Sequence, residues 1–161
     1  MKMILSSLLS FMFVFLSQSA NCEAGEIVLK LNPPESVLKS SEEVRLTVSV
    51  KNVSDHEAVI VRTPGLIPEE QLRYQVNVRD SDGKKPPETA YFKEFNSPSA
   101  IVRTSNISHK LKPGESVSDA IILTKLFVLK PGKYRVWVSR DATQVSGGAV
   151  KSNEITITIV N

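Results

Sequence analysis

The chain has 161 residues, of which 41% are hydrophobic and 23% are charged, and its formal net charge is +3. This balance is typical of a globular protein and excludes a disordered chain. The length accommodates one domain with its own hydrophobic core.

Residues 1–24 have the layout of a secretory signal peptide, in which Lys2 precedes a short apolar run and small residues follow it. The run is too short for a convincing membrane span, so none is expected after cleavage. Cleavage after Ala24 places Cys22 and Ala24 at the −3 and −1 positions. In the alternative, Cys22 is a lipidated N-terminus, although Asn21 before it departs from the lipoprotein pattern. The sequence therefore predicts export, either to the periplasm or out of the cell, with a lipoprotein as the minor alternative.

Cleavage after Ala24 removes the only cysteine, so no disulfide stabilises the predicted domain, residues 25–161. Lysine and arginine are concentrated in residues 103–140. For an exported protein this stretch favours plain solvation, or an anionic surface or glycan, over a nucleic acid.

The rest of the chain predicts short strands separated by turn residues. Strict alternation of apolar and polar residues, the mark of a strand with one buried face, occurs in VRLTVSVKN from Val44, LRYQVNVRD from Leu72, YRVWVSR from Tyr134 and EITITIV from Glu154. Less regular strands are expected near Glu26 and Val59 and over residues 117–128. The strand content of residues 84–105 stays open, and no helix is expected.

Turn residues separate these strands. Leu-Lys-Pro-Gly occurs twice, at Pro113-Gly114 and at Pro131-Gly132, and each copy predicts a type II turn, with proline at the first central position and glycine at the second. The two turns are expected at opposite ends of one strand. The sequence Asp80-Ser81-Asp82-Gly83 predicts a hairpin turn with Gly83 at positive φ, and it lacks the later acidic ligand of a calcium loop.

Seven to nine strands in one domain favour an immunoglobulin-like antiparallel β-sandwich, with a closed barrel as the alternative. Tyr134 follows the second Pro-Gly at the start of a strand, where such sandwiches place a corner tyrosine whose hydroxyl bonds to upstream backbone. Val136 then occupies the place of the cysteine that bridges the two sheets. We expect it to face Leu46 or Val48.

The order VRLTVSVKNVSD, YQVNVRDSDGK, LKPGES, LKPGKYRVWV resembles the bacterial immunoglobulin-like domains of the bacterial intracellular proteinase inhibitor family, over residues 43–140. The resemblance implies the fold and makes proteinase inhibition one hypothesis. A signal peptide departs from an intracellular inhibitor, and no reactive loop can be transferred to this chain residue by residue.

Motifs of enzymes and cofactor sites are not found. His56 and His109 belong to no zinc-ligand pattern, and no nucleophile elbow, Walker loop or dinucleotide fingerprint occurs. We therefore expect no enzyme activity, metal or cofactor. The two Asn-x-Ser sequons, at Asn52 and Asn106, are interpreted as structural.

Trp137 is the leading candidate for a binding residue. Alternation places it on the face opposite Tyr134, Val136 and Val138, and arginines flank it at positions 135 and 140. Aromatic and arginine side chains dominate binding hot spots. The alternative is that a long segment such as residues 84–105 covers this face. The loop of residues 141–152 is a second candidate surface, or a loop without a binding role.

These features favour a non-enzymatic module that binds an envelope protein or glycan, not a nucleic acid. The alternatives are a secreted proteinase inhibitor and an accessory subunit that pairs through a sheet edge.

Overall fold

The computed structural model describes residues 26–34, 38–62, 74–95, 107–142 and 147–161. The predicted signal peptide, Cys22 and Asn106 lie outside these residues. The described residues form ten strands: β1 Ile27–Asn32, β2 Leu38–Lys39, β3 Arg45–Asn52, β4 Ala58–Arg62, β5 Gln75–Asp80, β6 Ile107–Leu111, β7 Ser116–Ile122, β8 Gly132–Asp141, β9 Ala149–Lys151 and β10 Ile155–Val160. They also form two short helices, α1 Ala90–Phe95 and α2 Leu123–Leu126.

The strands are arranged in three sheets. A three-stranded sheet has the order β1-β3-β7, and a five-stranded sheet has the order β2-β10-β8-β5 with β9 also paired to β8. Strands β4 and β6 form a separate pair. All pairings are antiparallel except that of β10 with β2. The predicted all-β class is confirmed, whereas the sandwich arrangement stays a prediction.

Alternation along the strands builds the core. Every second residue of β3, β8 and β10 is buried and the residues between them are exposed or half-buried, because successive side chains of a strand point to opposite faces. Side chains from the three-stranded and five-stranded sheets join one hydrophobic cluster. Its members include Leu46, Val48, Val50, Val78, Val136, Val138 and Ile157.

Tyr134 forms the corner expected at the start of β8. Its hydroxyl donates to the Lys130 carbonyl at 2.9 Å and accepts from the Lys130 amide at 3.0 Å. The ring is buried, so these two bonds hold the approach to β8 against the core.

Replacing Tyr134 by phenylalanine should lower the free energy of unfolding by about 1–2 kcal/mol, because the partly buried backbone groups of Lys130 lose their partner. Urea unfolding measures the change. Lys130→Ala is the control, since Lys130 contributes only backbone atoms to the corner, and its effect should stay within about 0.5 kcal/mol. Equal stability of Tyr134→Phe and the unmodified protein would contradict this account.

The first Pro-Gly pair forms the predicted turn. Glu115 donates its amide to the Lys112 carbonyl at 3.0 Å, and Gly114 between them has φ 76°, as a type II turn requires. Gly83 also has positive φ, 78°, and the Asp80 carboxylate accepts hydrogen bonds from the amides of Asp82 and Lys84 in that turn. No second strand pairs with β5 directly after it among the described residues, so this turn is not the hairpin that the sequence predicts.

The second Pro-Gly pair differs from its prediction. Gly132 has φ 153°, far from the value near +80° of a type II turn, and it already belongs to β8 opposite Ile159. The strand expected over residues 117–128 is also shorter, because β7 ends at Ile122 and α2 follows. One helical turn places Leu123 and Leu126 on the same face, so both side chains reach the core. The two Pro-Gly pairs therefore flank a strand that is followed by a helical turn.

Residues 84–95 contain no strand of the sheets but do contain α1. Thr89 caps this helix, since its hydroxyl accepts the Phe92 amide at 3.1 Å. Phe92 then packs edge-on against Phe127, with 5.6 Å between ring centroids. Tertiary contact thus selects a helix where the sequence indicates none. The remainder of the 84–105 segment, residues 96–105, lies outside the described residues.

Candidate functional site

The outward side chains of the five-stranded sheet form a polar and basic surface, which we call the Trp137 face. The cross-strand register places these side chains on the same side of the sheet. The Trp137 face consists of Gln75, Asn77, Arg79, Lys133, Arg135, Trp137, Ser139, Lys151, Glu154, Thr156 and Thr158.

Trp137 lies near the middle of this face and is half-buried. Asn77 is its partner across the β5–β8 pair. The Lys151 ammonium lies 4.8 Å from the centroid of the indole ring, within the range of a cation–π interaction. Among the described residues 84–95, Phe92 and Glu88 contact Phe127.

Arg135 also lies on this face, as the sequence predicts, and is exposed. It is directly opposite Arg79 in the β5–β8 register, and Glu154 lies 3.6 Å from its guanidinium. Arg79 forms no ion pair with a residue in the described ranges. Two like charges therefore meet across neighbouring strands with one carboxylate beside them.

Arg140 does not belong to the Trp137 face. It is six residues after Tyr134, an even spacing, so it points inward with Tyr134 and is only 6% exposed. The expectation that it flanks an exposed Trp137 is wrong. The alternation along β8 predicts this difference, because Trp137 and Arg140 are three residues apart and therefore lie on opposite faces of the sheet.

The Arg140 side chain completes a buried polar network that the sequence did not reveal. Tyr74 donates its hydroxyl to Asp119 at 2.5 Å, and Arg140 donates to the Tyr74 hydroxyl at 3.2 Å. Arg140 also donates to the Val61 carbonyl and lies 3.9 Å from the Asp119 carboxylate. Strands β4, β7 and β8 are thereby joined, together with the residue that precedes β5.

Burial, followed by the nearby charge of Asp119, raises the pKa of the Tyr74 hydroxyl well above its usual range. The hydroxyl therefore remains protonated and continues to donate to Asp119. The Arg140 and Asp119 side chains are 5% and 4% exposed, so solvent has little access to either charge. The arrangement suits a structural link between the sheets better than a reaction centre.

A second buried polar residue, Asn52, fixes one end of the three-stranded sheet. Its amide donates to the carbonyls of His56 and Leu111, at 2.7 and 2.9 Å, and its oxygen accepts the Ser54 amide. Its own carbonyl accepts the Gly114 amide at 3.1 Å. Asn52 is fully buried, so the sequon there has a structural role.

His56 lies in the exposed loop that Asn52 supports. Its ring nitrogens are 2.9 Å from Asp55 and 3.3 Å from Glu26. Hydrogen bonds to Asp55 and then to Glu26 raise the pKa of His56, while the bond to His56 lowers the pKa of Asp55. Because the folded-state pKa of the histidine is raised, its stabilising contribution is complete below about pH 6.5 and is lost as pH rises through the folded-state value.

An NMR titration of the His56 ring should give a pKa above about 6.5, and Glu26→Gln should move it downward. Glu57→Gln is the control, because that carboxylate pairs with Lys110. A His56 pKa at or below about 6.5 would contradict the two ion pairs.

No group of three His, Cys, Asp or Glu side chains suited to a metal occurs within the described part of the chain. The described helices include none with the length and apolarity needed to cross a membrane.

Comparisons with known proteins place this chain in no family. No family model matches it, and no curated protein matches it. The solved structures that it resembles include a β-glucosidase from Listeria innocua in complex with glucose, at 18% identity and a TM-score of 0.41 over 85% of this chain. The same enzyme in complex with isofagomine has 21% identity and a TM-score of 0.42 over 84%, and a β-glucosidase from Erythrobacter marinus has 16% and 0.41 over 84%. The match covers 16% of each of those longer chains, and likenesses of this size carry no inference about activity.

Proposed function

We propose that this protein is an exported, non-enzymatic module with an immunoglobulin-like β-sandwich fold, which binds a protein or glycan in the cell envelope through the Trp137 face. The single observation that carries the proposal is the position of Trp137, half-buried on the outward face of a sheet and surrounded by polar and basic side chains. Tryptophan and arginine are the residue types most enriched at the centres of binding sites.

The strand orders support the immunoglobulin-like part of the proposal. Such sandwiches place strands A, B and E in one sheet and C, F and G in the other. Strands β1-β3-β7 correspond to the first order and β5-β8-β10 to the second. The corner at Tyr134 lies at the start of β8, where strand F begins. The departure is β6, which pairs with β4 and not with β7.

The experiment is an envelope pull-down with protein expressed from the full-length chain, compared with Trp137→Ala. We expect Trp137→Ala to capture at least one partner in an amount that is lower by a factor of about ten or more. Iodide should quench Trp137 fluorescence in the free protein, and less so with the partner bound. Tyr91→Ala, which removes another exposed aromatic ring, is the matched control. Identical captured sets from the unmodified protein and Trp137→Ala would contradict the proposal.

The outer edge of β7 supports a second candidate, an accessory subunit that accepts a partner strand. The bonds between Glu115 and Asn52 and between Leu123 and Val44 show that odd-numbered residues of β7 pair with β3. The backbone groups of Ser118 and Ala120 therefore point to the other side, where β6 does not pair with them. Fast amide exchange at both residues is expected, and strong protection in the isolated protein would contradict this candidate.

A secreted proteinase inhibitor remains the alternative that the family resemblance implies. It predicts stoichiometric loss of activity when the protein is titrated into a proteinase. A flat titration rules out inhibition of that enzyme.

A further inference from the structure

Positive charge dominates the middle of the Trp137 face. Arg79, Lys133, Arg135 and Lys151 point outward there, and Glu154 is the nearby carboxylate. Asp141 also has outward parity, but it lies at the far end of β8 opposite Ala149. A ligand that covers this face therefore meets a surplus of cations.

The facing arginines have a cost in the unbound protein. Like charges directly opposite each other on neighbouring strands repel and destabilise the pair. Glu154, 3.6 Å from Arg135, offsets one of the two guanidinium charges. An anionic ligand group placed between Arg79 and Arg135 would offset the other, and guanidinium groups bind carboxylate and sulfate in a planar, two-pronged geometry.

The uncharged side chains of the face suit a sugar better than a protein. Protein interfaces have an apolar core, and here the central apolar surface is a single indole ring. Gln75, Asn77, Ser139 and Thr156 flank it with amides and hydroxyls, and Thr158 lies farther along β10 opposite Lys133. Gln75 is already oriented, since its side-chain oxygen accepts the Ser139 hydroxyl at 3.3 Å. Such groups bind sugar hydroxyls, while the flat indole ring packs against the C–H face of a pyranose.

Lys151 adds a directional element. Its ammonium lies over one face of the Trp137 ring, so a sugar that stacks on that face displaces the ammonium and brings an acidic substituent within reach of it. The charge and the ring therefore act on the same ligand unit.

We infer that the ligand of the Trp137 face is an anionic polysaccharide, held by stacking on Trp137 and by ion pairs to Arg79, Arg135 and Lys151. This inference rests on the proposed binding function of the face and gives its ligand a chemical class.

The test is affinity electrophoresis and calorimetry with the protein expressed from the full-length chain. The probes are polygalacturonate, its methyl-esterified form, dextran sulfate, dextran and polyglutamate. We expect binding to polygalacturonate or dextran sulfate and at least about tenfold weaker binding to the neutral polymers, because one lost charge contact is typically worth a factor of ten.

Two variants separate the ring from the charges. Trp137→Ala and Arg79→Gln/Arg135→Gln should each weaken binding about tenfold or more. Lys30→Gln/Lys51→Gln is the matched control, because it removes the same charge from β1 and β3 of the other sheet, and it should leave binding unchanged. Circular dichroism of each variant establishes that it is folded.

Each outcome is decisive. Equal binding to polyglutamate, or binding that Trp137→Ala does not weaken, overturns the inference in favour of nonspecific polyanion attraction. No binding to either acidic polysaccharide also overturns it. If no acidic polysaccharide binds but the envelope pull-down captures a protein that Trp137→Ala does not capture, the proposed binding function is supported and the polysaccharide ligand is wrong. If neither experiment depends on Trp137, both the inference and the proposed function fail.

Discussion

Replacing Arg140 by alanine should lower the free energy of unfolding by about 3–5 kcal/mol, the largest effect that we expect from one polar substitution. The reason is the charge left behind. Asp119 would lose a guanidinium 3.9 Å away, and the Val61 carbonyl and the Tyr74 hydroxyl would each lose a donor. Urea unfolding at neutral pH measures the difference.

The matched control removes the whole network. A Tyr74→Phe/Asp119→Leu/Arg140→Met variant keeps the approximate volume without buried charge, and we expect it to recover most of the loss, because apolar replacements of buried ion pairs are often neutral or stabilising. The Val61 carbonyl still lacks a donor, so a deficit of about 1 kcal/mol should remain. If the triple variant is as unstable as Arg140→Ala, the loss of the guanidinium beside the buried Asp119 carboxylate is not the cause.

Replacing Phe127 by alanine should lower the free energy of unfolding by about 3–5 kcal/mol through the cavity that it leaves. The ring is 1% exposed, and Phe92 of α1 packs against it. Phe127 also bridges Glu88, and the Lys85 ammonium lies 5.6 Å from its ring centroid. The ring therefore attaches residues 85–95 to the core, together with backbone hydrogen bonds from Thr89 to Leu126 and from Val128 to Pro87.

Hydrogen exchange distinguishes local from global effects of this substitution. Relative to the unmodified protein, Phe127→Ala should increase the exchange rates of the α1 amides more than those of the β3 and β8 amides. The reason is that α1 loses its packing partner while the sheets keep their backbone hydrogen bonds. Phe127→Leu is the control, since it retains apolar contact and should cost less. Unchanged exchange in α1 would show that Phe127 does not hold this segment.

Noncovalent contacts connect the two larger sheets among the described residues. Val136, which the proposed immunoglobulin-like fold would place where the bridging cysteine stands, is fully buried in the shared cluster. The Tyr74–Asp119–Arg140 network joins β7 of one sheet to β8 of the other. Hydrogen bonds and burial thus connect the sheets, and the Arg140 variants measure the contribution of the buried polar network.

Several features follow from local rules and were predictable. Alternation in residues 44–50, 134–138 and 155–159 assigned inward and outward side chains correctly, since a strand has a side-chain period of two. Proline and glycine located the turn at Pro113-Gly114 because each restricts or permits a particular φ. Trp137 and Arg135 were placed on one outward face for the same reason. Arg140 obeys the same rule, because its even spacing from Tyr134 turns it inward, and the expectation that it flanks Trp137 is wrong.

The sequence by itself determined the strand-rich class, the side-chain directions of the regular strands and the corner at Tyr134, because these depend on near neighbours in the chain. The tertiary structure alone decided which residues meet over long separations. It brought Arg79 opposite Arg135, Lys151 over Trp137, and Tyr74, Asp119 and Arg140 together. It also made a helix of residues 90–95 through Phe127. Such pairings depend on strand order and register. The free energy of the whole core decides both, and a short stretch of sequence does not determine it.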